Sequence, residues 1–190
     1  MSPRLLALIP LAVGINLALG KLAAATSLPL FLDTVGTVIV ACLTGLVPAL
    51  ITGVVSQLVM AAIDNPTWLA FLPVQLAIGG YAALAAHYGM FRSIPRSVLA
   101  GLGLGFIAAT LSWPISYLVF GGVTTSGVTV VTTVLTGLGV PLQWAVYGAS
   151  LGNDLLDKAV TFALVCTVLA RLPRRVAARF PKVDRALGRA

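Results

Sequence analysis

Charge is what this sequence has least of. Only 9% of its 190 residues are Asp, Glu, Lys or Arg, whereas 59% are hydrophobic. Ordinary globular domains carry about 25% charged and about 45–50% apolar residues. So few charges cannot coat a water-soluble surface, and the mean hydropathy of +1.04 agrees. The expected solvent is the bilayer, and disorder, a coiled coil and a secreted disulfide scaffold are excluded. Cysteine is scarce as well. Cys42 and Cys166 both fall inside apolar runs, where a thiol serves as a small core hydrophobe. His87 is the single histidine. A zinc site needs three or four ligands, and none cluster, so no metal or other cofactor is expected. His87 itself reads as a helix cap or an interface residue. There is no Gly-x-x-x-x-Gly-Lys-Ser/Thr string, so any dependence on ATP must come through a partner.

The charges that are present are mostly basic and unevenly placed. Net charge is +7, and seven of the twelve basic residues lie in the last twenty positions: Arg171, Arg174, Arg175, Arg179, Lys182, Arg185 and Arg189. Arg92 and Arg96 flank one short polar break, and Arg4 stands near the N-terminus. Such clustering fits the positive-inside bias of membrane proteins rather than a groove for nucleic acid.

Glycine, proline and polar breaks divide the chain into apolar runs. The first covers about 5–25; Asn16 and Lys21 interrupt it, and its length suits a membrane span rather than a cleaved leader. A loop with one acid, Asp33, leads to runs over about 34–46 and 48–63. Gly45 suits the end of one helix and Pro48 the first turn of the next. The 34–46 run is short for a span, as interrupted segments near transporter binding sites often are. Asp64-Asn65-Pro66 signals a turn. Further runs cover about 68–88 and 98–120, the latter with a kink expected at Trp113-Pro114. A polar loop, 121–127, precedes a Thr-rich piece over 128–139 that reads as re-entrant or interfacial. Pro141 opens a last helix to about 169. The chain is thus expected to be an all-α integral membrane protein with six transmembrane helices over residues 1–170 and a basic cytoplasmic tail over 171–190. With both termini inside, ten of the twelve basic residues are cytoplasmic.

The last helix carries the chemistry. Gln143, Tyr147, Ser150, Asp154, Lys158 and Thr161 recur at spacings of three and four and share one helical face; Asn153 and Asp157 lie on the adjacent strip. An ionisable group at bilayer depth costs at least about 2.5–3.5 kcal/mol, so it must face protein or water. Asp154 and Lys158, four apart, read either as a structural pair or as the polar wall of a ligand cavity. Trp113 and Trp144 read either as stacking platforms for a flat ligand or as interfacial anchors. Lys21 and Asp33 are candidates for a pair at the outer mouth. Gly148-Ala-Ser150-Leu-Gly152 matches a nucleophile-elbow string but lacks its strand–turn–helix context and a nearby base. Small residues four apart, Gly14 and Ala18, then Gly45, Ala49 and Gly53, then Gly101, Gly105 and Ala109, permit close helix approach.

The stretch from Leu28 to Thr37 (LPLFLDTVGT), followed by Leu43 to Gly53 (LTGLVPALITG), resembles the S components of energy-coupling factor (ECF) transporters, as do the size, the basic tail and Asn153-Asp-Leu-Leu-Asp-Lys158. The resemblance implies a substrate-binding subunit of an ABC-type importer in a prokaryotic cell membrane, without enzymatic activity of its own. It would capture a vitamin-like, nucleobase-like or nucleoside-like micronutrient outside, and deliver it with a transmembrane coupling subunit (T component) and two ATPase subunits. In the family the first helix carries an Ala-x-x-x-Ala-type face toward the coupling subunit; here that position reads Gly14-Ile-Asn-Leu-Ala18, a small-for-small departure. The expected substrate-binding residues are Asp33, Trp113, Gln143, Trp144, Tyr147, Ser150, Asn153, Asp154, Asp157 and Lys158. Two alternatives stand beside this: a small membrane enzyme using Asp154, Asp157 and Lys158 as acid–base groups, and a sensory membrane subunit without transport.

Overall fold

The computed structural model describes residues 3–26, 28, 30–124, 127–180 and 182–189, and every regular element among them is helical. Ser27 and Pro29 of the expected first loop, and Thr125 and Ser126 of the expected polar loop, lie outside the described residues. The helices are α1 (Pro3–Ala25), α2 (Val35–Thr44), α3 (Leu46–Ile63), α4 (Leu72–His87), α5 (Ile94–Leu118), α6 (Gly127–Gly137), α7 (Leu142–Ala170), α8 (Arg174–Ala177) and α9 (Lys182–Ala186). Single 3₁₀ segments at Pro66–Phe71 and Met90–Arg92 precede α4 and α5. The punctuation expected at Gly45 and Pro141 is where α2 gives way to α3 and where α7 begins. α5 runs through Pro114 to Leu118.

Among the described residues, four helical stretches are long and apolar enough to cross a membrane: Ala7–Ala25, Leu46–Ile63, Pro66–His87 and Ile94–Leu118. α7 has the length but carries Asp154, Asp157 and Lys158 in its middle. α2 has ten residues, about 15 Å at 1.5 Å per residue, and cannot cross the roughly 30 Å hydrocarbon layer alone. Its residues are nearly all buried, so it is a plug inside the bundle. α6, with eleven residues, is similarly short and packs on α7.

Two seams fix the frame. α5 lies directly on α7. A Cβ at Gly101 would stand 2.4 Å from the Lys158 carbonyl oxygen, and one at Gly105 2.7 Å from that of Asp154. Only glycine admits that approach, and it holds the polar stretch of α7 against α5. The second seam joins α1 to α2 and α3. Buried Asn16 donates through Nδ2 to Thr37 Oγ1 and Ser56 Oγ, both at 2.9 Å, and accepts through Oδ1 from the Gly36 N–H at 2.7 Å. Gly36 is in the first turn of α2, where backbone N–H groups have no helical partner, so the amide also caps that helix. Gly14 and Ala18 are about 200° from Asn16 at 100° per residue; both are exposed, Gly14 has open space around it, and Leu11 beside them is 62% exposed.

The two ends of the bundle differ. At the end bearing the C-terminal residues, Phe91 stacks on Phe162 at 4.9 Å, and Cys166 donates to the Phe91 carbonyl. α9 buries Val183 and Ala186 against α2 and α4. Lys182 Nζ donates to the Thr44 carbonyl at 2.9 Å, a cation on orphan carbonyls at a helix C-terminus. The opposite end, where α1, α3 and α5 finish and α4 begins, is hollow.

Candidate functional site

That hollow is a cavity of about 250 Å³. Of the five acidic residues in the chain, all aspartates, Asp33, Asp64 and Asp154 line it, and Asp157 is bonded to its lining. In a chain of net charge +7, the negative side chains are therefore concentrated at one place.

From α7, Ser150, Asp154 and Lys158 face the cavity, as their shared helical face requires. The ion pair differs from the expected one. Lys158 pairs with Asp157, its sequence neighbour, and also donates to Thr34 Oγ1 at 3.3 Å. Asp154 instead accepts from Ser112 Oγ of α5 at 3.2 Å. The cause lies in the loop before α2. The N–H groups of Phe31 and Leu32 both donate to Asp157 Oδ1, at 2.9 and 2.8 Å, which turns that carboxylate toward the loop and within reach of the long lysine side chain. Leu32 takes a φ of +52°, a left-handed conformation that costs a non-glycine residue roughly 1–2 kcal/mol. The two charge-assisted bonds compensate for it.

Asp33, at the end of this loop, accepts from Gln75 Nε2 of α4 at 3.3 Å. The carboxylate fixes the orientation of the Gln75 amide, since the reverse would set oxygen against oxygen. Gln75 is 5% exposed and lines the cavity, yet its Oε1 has no hydrogen-bond partner. A buried acceptor left alone costs about 1–3 kcal/mol. Gln57 of α3 lines the same wall and donates to the Trp68 carbonyl.

The mouth is aromatic. Trp68 and Phe71 line the cavity and pack with Phe120 at centroid separations of 5.4–5.8 Å. Trp68 Nε1 donates to Asp64 Oδ2 at 2.6 Å, and Lys21 donates to Asp64 Oδ1 at 3.1 Å. The indole N–H first, and Lys21 second, hold the Asp64 carboxyl below the usual carboxylate range. The expected pairing of Lys21 with Asp33 is replaced by this one: Lys21 sits on the last turns of α1, level with the end of α3.

The remaining expected residues lie elsewhere. Trp113 stacks on Trp144 at 6.3 Å and donates to the Gln143 carbonyl at 2.9 Å, with Tyr147 edge-on to it. Trp144 is 56% exposed. These four form an aromatic patch across the outer α5–α7 seam, because Trp113 is turned about 100° from the cavity-facing Ser112. Asn153 is buried without lining the cavity, and its Nδ2 has no partner. Asp157 is buried behind Lys158 and holds the loop. Gln57, Asp64, Trp68, Phe71, Gln75, Ser112 and Ser116 line the cavity without having stood out in the sequence. The spacing of Asp64 and Trp68, one helical turn apart across a Pro turn, was the one available signal. Among the described residues no group of His, Cys and carboxylates is arranged to hold a metal ion.

The chain matches no family model, no curated protein and no solved structure. The cavity must be interpreted from its own chemistry. It is lined by carboxylates and amides together with indole and phenyl rings, a combination suited to fixing the polar end of a small molecule and covering its apolar body.

Proposed function

We propose that this chain is the substrate-binding membrane subunit, or S component, of an ECF-type importer, capturing a small micronutrient and releasing it inward with a coupling subunit and two ATPases. The observation that carries the reading is the cavity, with an unpartnered buried acceptor in its wall, at the bundle end opposite Arg92, Arg96 and the basic tail. By the positive-inside rule the basic end is cytoplasmic, so the cavity opens outward. The exposed face of α1 around Leu11, Gly14 and Ala18 supports a close helix–helix contact with the coupling subunit. The lack of a nucleotide-binding string accords with ATPases supplied by partners.

The test is uptake against binding. With coupling and ATPase subunits co-expressed, Gly14→Leu with Ala18→Leu is expected to abolish uptake of the co-purified ligand while the isolated chain still binds it. Chemical conversion of that ligand by the isolated chain would overturn the reading. So would labelling of cysteines at Ser93 and Arg179 from outside the cell.

A further inference from the structure

The hydrogen-bonding groups of the cavity are unequally occupied. Each of its nitrogen donors makes at least one internal bond: Lys21 Nζ and Trp68 Nε1 on Asp64, Gln57 Nε2 on the Trp68 carbonyl and Gln75 Nε2 on Asp33, while Ser112 Oγ donates to Asp154; Lys21 keeps two N–H groups, and Gln57 and Gln75 one each. Lys158 directs its ammonium to Asp157 and Thr34, which leaves it one of three N–H groups. The acceptors are not matched in this way. Gln75 Oε1 has no partner. Asp33 and Asp154 each receive one side-chain donor, whereas a carboxylate accepts about four hydrogen bonds. The count of ionisable groups points the same way. Four carboxyl groups, Asp33, Asp64, Asp154 and Asp157, face only two ammonium groups, Lys21 and Lys158.

Three features coincide: unfilled acceptors, carboxyl groups that outnumber the ammonium groups, and an aromatic wall at Trp68 and Phe71 whose ring faces attract cations. From these we infer that the ligand is a small organic cation, an amidinium, guanidinium or protonated amine on a flat or apolar body, whose N–H groups bind Asp33, Asp154 and Gln75 Oε1. The inference rests on the binding-subunit reading and sharpens it. An anionic ligand would meet Asp33 and Asp154, and both cations of the cavity are already paired, Lys158 with Asp157 and Lys21 with Asp64. A neutral ligand without donors would leave Gln75 Oε1 as it is.

The experiment uses the full chain in lipid nanodiscs and three probes of one shape: benzamidinium, benzamide and benzoate. Isothermal titration is expected to give benzamidinium at least about a tenfold advantage over either analogue, since charge-assisted hydrogen bonds are roughly twice as strong as neutral ones. Asp33→Asn and Asp154→Asn, introduced singly, should each narrow the benzamidinium-to-benzamide ratio by about tenfold. The ratio is taken within each variant, so a fraction of unfolded protein lowers both affinities alike and leaves it unchanged. Benzamide or benzoate binding as tightly as benzamidinium, with Trp68 fluorescence responding, would overturn the cationic class and leave a binding cavity in place. A ratio that neither substitution alters would move the cation away from these carboxylates and overturn the inference. Absence of binding by all three to protein that unfolds cooperatively would overturn both readings.

Discussion

Two buried polar clusters lie in the same bundle, and they are finished to different degrees. Around Asn16 every group of the amide has a partner: two hydroxyls receive its hydrogens and the Gly36 N–H fills its oxygen. No charge is involved, and Asn16, Gly36, Thr37 and Ser56 do not line the cavity. Around Asp33, Gln75, Asp154 and Lys158 carboxyl groups outnumber ammonium groups, one amide oxygen is empty, and the groups face open space. A saturated buried network specifies packing, because each member fixes the others. An unsaturated one raises the energy of the empty protein by a few kcal/mol, and an occupant that completes it recovers that energy. The contrast therefore separates the groups that hold this protein together from those that await something else. Asp157 belongs to the first kind although it stands among the second, since its oxygens are taken by Phe31, Leu32 and Lys158.

If that division is right, the largest loss of stability should come from Asp157. We predict that Asp157→Ala lowers unfolding stability by about 3–5 kcal/mol, because it strands a buried ammonium and two backbone N–H groups. Denaturant unfolding in detergent micelles reads this directly, and a loss below about 1 kcal/mol would remove Asp157 from the structural class. Next in size is Asn16→Leu, expected to cost about 2–3 kcal/mol. It orphans the Gly36 N–H, while the freed Thr37 and Ser56 hydroxyls turn back to carbonyls of their own helices. Gln75→Leu should behave in the opposite manner. It removes an unpartnered oxygen, and Asp33 still faces the cavity, so stability is expected to change by less than about 0.5 kcal/mol. Benzamidinium affinity should nevertheless fall by about tenfold. A large stability loss with unchanged affinity would erase the contrast.

The smallest effect is expected at the mouth. Lys21 and Asp64 are 49% and 39% exposed, and Lys21→Met should cost less than about 1 kcal/mol. Asp64 titrates below its ordinary value of about 3.9. Its contribution is therefore present above that pH and disappears as pH falls through the lowered value. Trp68 fluorescence between about pH 5 and about pH 2 should report that loss, and its midpoint should move upward in Lys21→Met. An unmoved midpoint would leave the indole N–H as the sole cause of the shift.

Helices and their breaks were legible from apolar runs punctuated by glycine and proline, down to Gly45 and Pro141. So was the face of α7 that carries Ser150, Asp154 and Lys158, because helical period alone sets it. The partner of Lys158 was not, since the spacing rule for helix surfaces ignores a loop that delivers two N–H groups to Asp157 from 125 and 126 positions away. Gln57, Gln75 and Trp68 each look like an ordinary interruption of an apolar run, and only the packing of α3 against α4 brings them together. Trp113 misled for the opposite reason: an aromatic beside proline invites a role in the cavity, but the one-residue offset from Ser112 turns it outward. The C-terminal basic stretch read as a bare tail, because Val183 and Ala186 are too few to register as an apolar run, yet they suffice to seat α9 on α2 and α4.

The place of Asn16 on α1 has a mechanical consequence. One side of that helix is welded to α2 and α3 through a single amide, reinforced where Gly36 lies so close to Ala12 that a methyl group would reach 2.2 Å from its carbonyl oxygen. The other side is bare. A force applied to the bare side cannot peel α1 away without breaking the weld, so it loads α2 and α3 as well. If the proposed coupling subunit grips that face, α1 becomes a handle that carries α2 and α3 with it.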